Sequence, residues 1–297
     1  MARRRAARAV GVGRLDGDLL GHGDMDLDTI TSVLTPREPG ALPGWRAGDA
    51  WLAGGTWLFS EPQPHLARLI DLTGLALPPS AATEAALSLS ATCTIAALDR
   101  IEMPPAWIAA PLIGQCCRAL LGSFKIWNRA TVGGNLCLAL PAGPIIALGV
   151  ALDGVCTIRT GAGGERRMAV ADFVLGPQTT ALAPDEVLLR LDMPAAALRR
   201  RTAFRRISLS PNGRSGALLI GTQDADGTFA LTVTAATRRP VRLAFPEPPS
   251  AGALADAIAA GIDDALWYDD VHGAPDWRRH VTGLLAEEIR AELCEAA

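Results

Sequence analysis

Two glycine pairs constrain this chain more than any other feature: Gly54-Gly55 within Trp51-Leu-Ala-Gly-Gly-Thr-Trp-Leu58, and Gly133-Gly134 within Ala130-Thr-Val-Gly-Gly-Asn-Leu-Cys137. Each pair follows a short apolar run and precedes a hydroxyl or amide side chain. Glycine loses more backbone freedom on folding than any other residue, so a pair implies a turn with positive φ or a place where something packs directly on the main chain. Read alone, each pair is most simply a tight turn. Read together, they suggest more. Successive N–H groups in such turns form a concavity for anions, and the missing Cβ lets phosphate oxygens approach. Two such loops can hold the two ends of one phosphate-bearing ligand.

The rest of the chain narrows the class. It has 297 residues, 49% apolar and 20% charged, with a formal charge of -3, as in ordinary globular proteins of one to three domains. Lys125 is the only lysine, and the positive charge is otherwise arginine, with no basic stripe or nucleic-acid motif. Nucleic acid is therefore not an expected partner. The six cysteines form no C-x-x-C pair and share no ligand spacing with the histidines, so no metal site is expected. They read as small buried hydrophobes in a reducing compartment, which makes a cytoplasmic location the expectation. No apolar run is long enough to span a bilayer, and the arginine-rich start lacks the apolar core of a signal peptide. Residues 1–24 are expected to be a disordered arm, with Met25 near the start of the folded part.

Periodicity supplies a coarse map. Short apolar pieces over 27–75 predict strands and turns of a small α/β unit, with the first glycine pair between two of them. A strand is expected over 85–91, then a helix capped by Thr94. Ile108, Leu112, Cys116 and Leu120 recur at four-residue spacing, which predicts a buried helix ending at Gly122. The apolar stretch from Ile145 predicts another helix with Pro144 in its first turn. Alternation on both sides of Gly161-Ala-Gly-Gly164 predicts a hairpin, not a phosphate loop. Four further strands at hairpin spacing then lead to two helices. The last of these presents Trp277, Val281, Leu284, Leu285, Ile289 and Leu293 on one face. Asp71 and Asp153 read as caps, and Lys125 reads either as a solvated charge or as a phosphate contact.

The order and spacing of five motifs resemble the flavin-binding subunit of the xanthine dehydrogenase and carbon monoxide dehydrogenase family. They are Ala53 to Thr56, Asn128 to Asn135, Pro141 to Pro144, the segment from Ala171 to Pro194, and the helix from Pro275. The resemblance implies an α+β chain: a two-subdomain FAD-binding fold of the PCMH type over 25–195, divided near 75–80, then a small α+β domain with an antiparallel sheet and helices over 200–297. It implies FAD as cofactor. Gly54, Gly55 and Thr56 would cradle the pyrophosphate, Trp51 and Ala53 would line the approach, and Trp57 and Leu58 would follow in the same loop. Ala130, Thr131, Gly134 and Asn135 would meet ribityl and phosphate oxygens, and Gly143 would lie against the flavin. Leu191 would pack on the ring, and Arg205 occupies the place of a lysine near it. No residue of this chain would be catalytic or bind metal.

The same resemblance implies an oxidoreductase subunit with two partners, an iron–sulfur small subunit and a molybdenum-cofactor large subunit. Electrons would pass from the clusters through FAD to NAD+, a quinone or oxygen, with no membrane insertion. Three positions depart from the family pattern: Trp57, Leu138 and Pro144 replace polar or acidic residues. Trp57 and Trp127 could compensate by stacking. These departures leave open an alternative, a flavin-free scaffold subunit that keeps the fold.

Overall fold

The computed structural model describes residues 27–294, so the expected N-terminal arm lies outside the described residues. Strands β1 (Ser32–Leu34), β2 (Asp49–Leu52) and β3 (Arg68–Asp71) form a small parallel sheet with β3 in the centre. Asp49 is buried at the start of β2 and lies opposite Arg68 in the register. The Arg68 guanidinium donates to it from Nε at 2.7 Å and holds its carboxyl below the usual carboxylate range. Asp71 caps the turn that follows, accepting from the Thr73 N–H at 2.9 Å, as expected.

The second unit opens with β4 (Ser80–Ala82) and β5 (Ala86–Ser90). Helices α1 (Ile95–Leu98), α2 (Ala110–Ala119), α3 (Phe124–Trp127), α4 (Val132–Leu138) and α5 (Pro144–Ala151) follow. Thr94 caps α1 through Oγ1, which accepts from the Ala97 N–H at 3.1 Å. The chain continues through β6 (Val155–Arg159), β7 (Glu165–Ala169), α6 (Val170–Phe173), β8 (Val174–Gly176), β9 (Thr179–Thr180), β10 (Val187–Pro194) and α7 (Ala195–Leu198). The resulting antiparallel sheet has the order β4-β5-β10-β6-β7. Helix α2 begins later than its periodicity predicts, and Ile108 is 54% exposed. Pro111 explains this, because a proline lacks the N–H a helix interior needs and is tolerated only in the first turn. The helix also stops at Ala119, which frees Leu120 and Leu121 to turn outward as described below.

The third unit contains β11 (Arg201–Ile207), β12 (Ala217–Gln223), β13 (Phe229–Thr234) and β14 (Val241–Phe245), antiparallel in chain order. Helices α8 (Ala251–Gly261) and α9 (Pro275–Cys294) complete it. Strand β12 is buried on both faces. Leu218 and Ile220 join the core around α5, while Ala217 and Leu219 join the core under α9, as the two-residue period of a strand requires. Helix α5 is correspondingly buried all round. The stripe on α9 is centred later than expected: Leu284 is 55% exposed, and Arg278 is buried in its place. Arg278 donates to the Gly273 and Gly216 carbonyls at 2.8 and 2.7 Å and pairs with Asp270, so its charge and donors are satisfied. Asp153 is not a cap but an ion-pair partner of Arg200 and Arg242. Among the described residues no helix is long and apolar enough to cross a membrane.

Candidate functional site

The first glycine segment leaves β2 at Leu52 and bends back on itself. Gly55 has φ +70°, a conformation that favours glycine. Gly54 is constrained differently, for an added Cβ would fall on the carbonyl oxygen of Arg129. The segment therefore rests directly on the main chain ahead of α4. Its later carbonyls are used: the Phe59 N–H donates to Gly55 and the Ser60 N–H to Trp57, both at 2.9 Å. Its own donors are not. Among the described residues, the N–H groups of Gly54, Gly55, Thr56, Trp57 and Leu58 find no acceptor. The buried indole N–H of Trp51 also lacks one. Its ring is held in place by Trp45, with centroids 5.2 Å apart.

The second segment is a helix start instead of a loop. Thr131 caps α4, accepting from the Gly134 N–H at 3.0 Å. The remaining early donors are occupied too: Val132 to the Cys93 carbonyl at 2.9 Å, Gly133 to Ala91 at 2.8 Å, and Asn135 to Thr131 at 2.9 Å. Neither glycine has positive φ. Gly133 is there because an added Cβ would stand 2.8 Å from the Ala91 carbonyl oxygen and 2.9 Å from its Cα. Asn135 also has an internal task. Its side-chain oxygen accepts from the Ile145 N–H at 3.1 Å and so closes the start of α5.

Between the two segments lies a cleft of about 490 Å3. Trp51, Ala53, Gly54, Gly55, Thr56, Trp57, Leu58, Ala130, Thr131, Gly134 and Asn135 all line it. On the other side of the Ala53–Thr56 turn is a second cavity of about 540 Å3, bordered by Ser60, Asp71, Thr73, Lys125 and Arg129. The first chamber is mostly apolar and the second is polar, with Lys125, Arg129 and Asp71 on its border, so one turn of backbone separates two chemically different spaces. Leu138 lines the apolar chamber.

Three expected residues are not brought to this cleft. Leu191 is fully buried in the core. In β10 it lies opposite Cys156 of β6, inside that same core, while Leu188 of the same strand borders the chamber. Arg205 points to α9, where it pairs with Glu288 at 2.7 Å and Glu292 at 2.8 Å. Gly143 and Pro144 border an adjoining cavity of about 300 Å3, and Pro144 is the first residue of α5. Trp127 is tied by its indole N–H to the Leu120 carbonyl at 3.1 Å and does not line the chamber.

Other residues of the wall escape sequence reasoning. Leu120, Leu121, Leu182, Val187 and Leu188 are ordinary apolar positions whose direction only the fold sets. Arg214, from the loop between β11 and β12, reaches the chamber from the third unit. Cys137, expected to be buried, opens onto the cleft. The mass of protein around it still pushes its thiol up to about 12, so it is not a ready nucleophile. Glu186 also borders the chamber, and the Arg166 guanidinium holds its carboxyl below the usual range. Among the described residues no group of three or more His, Cys, Asp or Glu side chains could hold a metal.

The comparisons with known proteins fit this geometry. Residues 47–196, half of the chain, match the family described as the FAD binding domain in molybdopterin dehydrogenase. The chain is 27% identical over 178 residues to the carbon monoxide dehydrogenase medium chain of Hydrogenophaga pseudoflava, covering 56% of this chain and 58% of that one. It is 28% identical over 182 residues to the nicotine 6-hydroxylase medium subunit of Paenarthrobacter nicotinovorans, covering 58% and 62%. These matches span less than two thirds of the relatives' lengths. The fold matches that of reconstituted CO dehydrogenase from Oligotropha carboxidovorans with a TM-score of 0.75 at 19% identity, over 90% of this chain and 98% of that one. With both glycine segments inside the matched region, the chain belongs to the FAD-binding domain family of the molybdopterin dehydrogenases.

Proposed function

We propose that this chain is the FAD-carrying electron-transfer subunit of a molybdenum-cofactor hydroxylase or dehydrogenase complex. The observation that carries the reading is the arc of unpartnered N–H groups from Gly54 to Leu58, set on the ridge between an apolar cavity and a polar one that holds Lys125 and Arg129. Such an arc suits a pyrophosphate, and the spaces on either side suit the two unlike halves of a dinucleotide. The donor set therefore fits FAD, with the turn 53–58 on the phosphates and Lys125 and Arg129 beside them. Trp51 would offer its indole N–H, and the apolar walls would exclude water from the ring. Bound FAD supplies the exchange between one-electron and two-electron transfer. In this reading substrate is oxidised on a molybdenum-cofactor partner, an iron–sulfur partner delivers the electrons, and NAD+, a quinone or oxygen receives them.

The test is the visible spectrum of the purified protein, followed by chromatography of the flavin released on denaturation. FAD near one per chain is expected. FMN, or no flavin after incubation with excess FAD, counts against the reading. The alternative is a flavin-free scaffold of such a complex. The fully occupied donors at the start of α4, with the apolar Trp57 and Leu138 in the wall, favour it. The same spectrum separates the two.

A further inference from the structure

Two charged residues line the apolar chamber, Glu186 and Arg214, and they are in opposite states. Glu186 is fully engaged: Arg166 donates to it at 2.8 and 2.6 Å, and the Ala183 N–H at 2.9 Å. Arg214 is exposed and makes no hydrogen bond or ion pair among the described residues. Its backbone is nevertheless held. The Gly213 N–H donates to Ser210 at 2.9 Å, the Gly216 N–H to Ile207 at 2.8 Å, and the buried Arg278 donates to the Gly216 carbonyl at 2.7 Å. Next to it, Ser215 is 3% exposed and its hydroxyl has no partner. A fixed loop thus presents one exposed, unpaired guanidinium at the edge of an apolar chamber.

We propose that Arg214 is the charge partner of the cofactor ring and favours its reduced form over its oxidised form, an inference that rests on the FAD reading above. The isoalloxazine has an apolar dimethylbenzene edge and a polar pyrimidine edge. Leucine walls suit the first, and the lone guanidinium suits N1 and the C2 oxygen of the second. Reduction adds two electrons, taken singly from an iron–sulfur donor, and one proton at N5. The product carries a negative charge spread over N1 and the C2 oxygen. A cation beside that edge stabilises the charged product more than the neutral reactant.

The experiment uses the full chain loaded with FAD, as wild type, Arg214→Ala and Arg214→Lys. Two quantities are measured, the Kd for oxidised FAD and the two-electron midpoint potential by dithionite titration against a reference dye. The expected result for Arg214→Ala is a Kd within about threefold of wild type and about a tenfold loss of preference for reduced FAD, a fall of about 30 mV. Arg214→Lys should keep most of the wild-type potential. A potential unchanged in Arg214→Ala overturns the proposal, whether FAD affinity holds or falls equally for both forms, the latter marking a phosphate contact. A wild-type protein that binds no FAD overturns the underlying reading as well.

Discussion

Ala53-Gly-Gly-Thr56 and Val132-Gly-Gly-Asn135 look alike as strings, yet their backbones are in opposite states. In the first, five consecutive N–H groups find no acceptor and one glycine sits at positive φ. In the second, the threonine cap and the carbonyls of Ala91 and Cys93 take every early donor, and both glycines are helical. The difference teaches that a glycine pair has two distinct uses. One keeps a backbone open to a ligand, and the other lets two pieces of backbone touch.

The sharpest way to break this comparison is to place the same side chain in both segments. Gly133→Val drives Cβ into the Ala91 main chain inside the core, where neither α4 nor β5 can yield. We expect about 3 kcal/mol or more of lost stability, seen as an early unfolding transition. Gly54→Val meets the Arg129 carbonyl, but the 53–58 turn is not anchored by its own N–H groups and can move. Its expected effect is on the ligand: at least about 100-fold weaker FAD binding, or about 2.8 kcal/mol, with β11 to β14 still folded by circular dichroism. A folded Gly54→Val protein that keeps its flavin would refute the assignment of the turn.

A gentler change sharpens the comparison. If Asn135 serves the start of α5 and not the ligand, Asn135→Ala removes one helix-start acceptor. That should cost about 1 kcal/mol and lower Tm by roughly 2 to 4 °C, while the Kd for FAD changes less than about threefold. Loss of flavin with an unchanged Tm would return Asn135 to the binding site. The smallest expected effect concerns the chamber wall. The folded carboxyl of Glu186 titrates below its ordinary value of 4.5 because Arg166 hydrogen-bonds it. Its contribution is therefore present above that ordinary value and is lost as pH falls through the folded one. Between about pH 6 and about pH 3, Tm of Glu186→Gln should fall less than that of wild type. Parallel curves would show that the pair adds nothing.

Local pattern was enough for several elements. Thr94 caps α1, Pro144 opens α5, and alternation around Gly161 to Gly164 gives the β6–β7 hairpin, because each depends on residues adjacent in sequence. Ile108 and Leu284 lie outside the faces their spacing predicts for a related reason, since spacing shows that a stripe exists but not where it is centred. Proline at 111 moved the start of α2 by a small step that left Ile108 outside the helix and exposed.

By itself the sequence determined most elements and their order, the motifs that mark the family, and that both glycine pairs are special places of the backbone. Tertiary structure alone decided which pair is open. A backbone N–H is a donor for a ligand only if no protein carbonyl reaches it first. The carbonyls that reach Gly133 and Val132 come from Ala91 and Cys93, far back in the chain. It also decided that Arg205 turns to Glu288 and Glu292 on α9, while Arg214 faces the cleft, because the path of a chain between two sheets is set by their packing and not by the spacing of its residues.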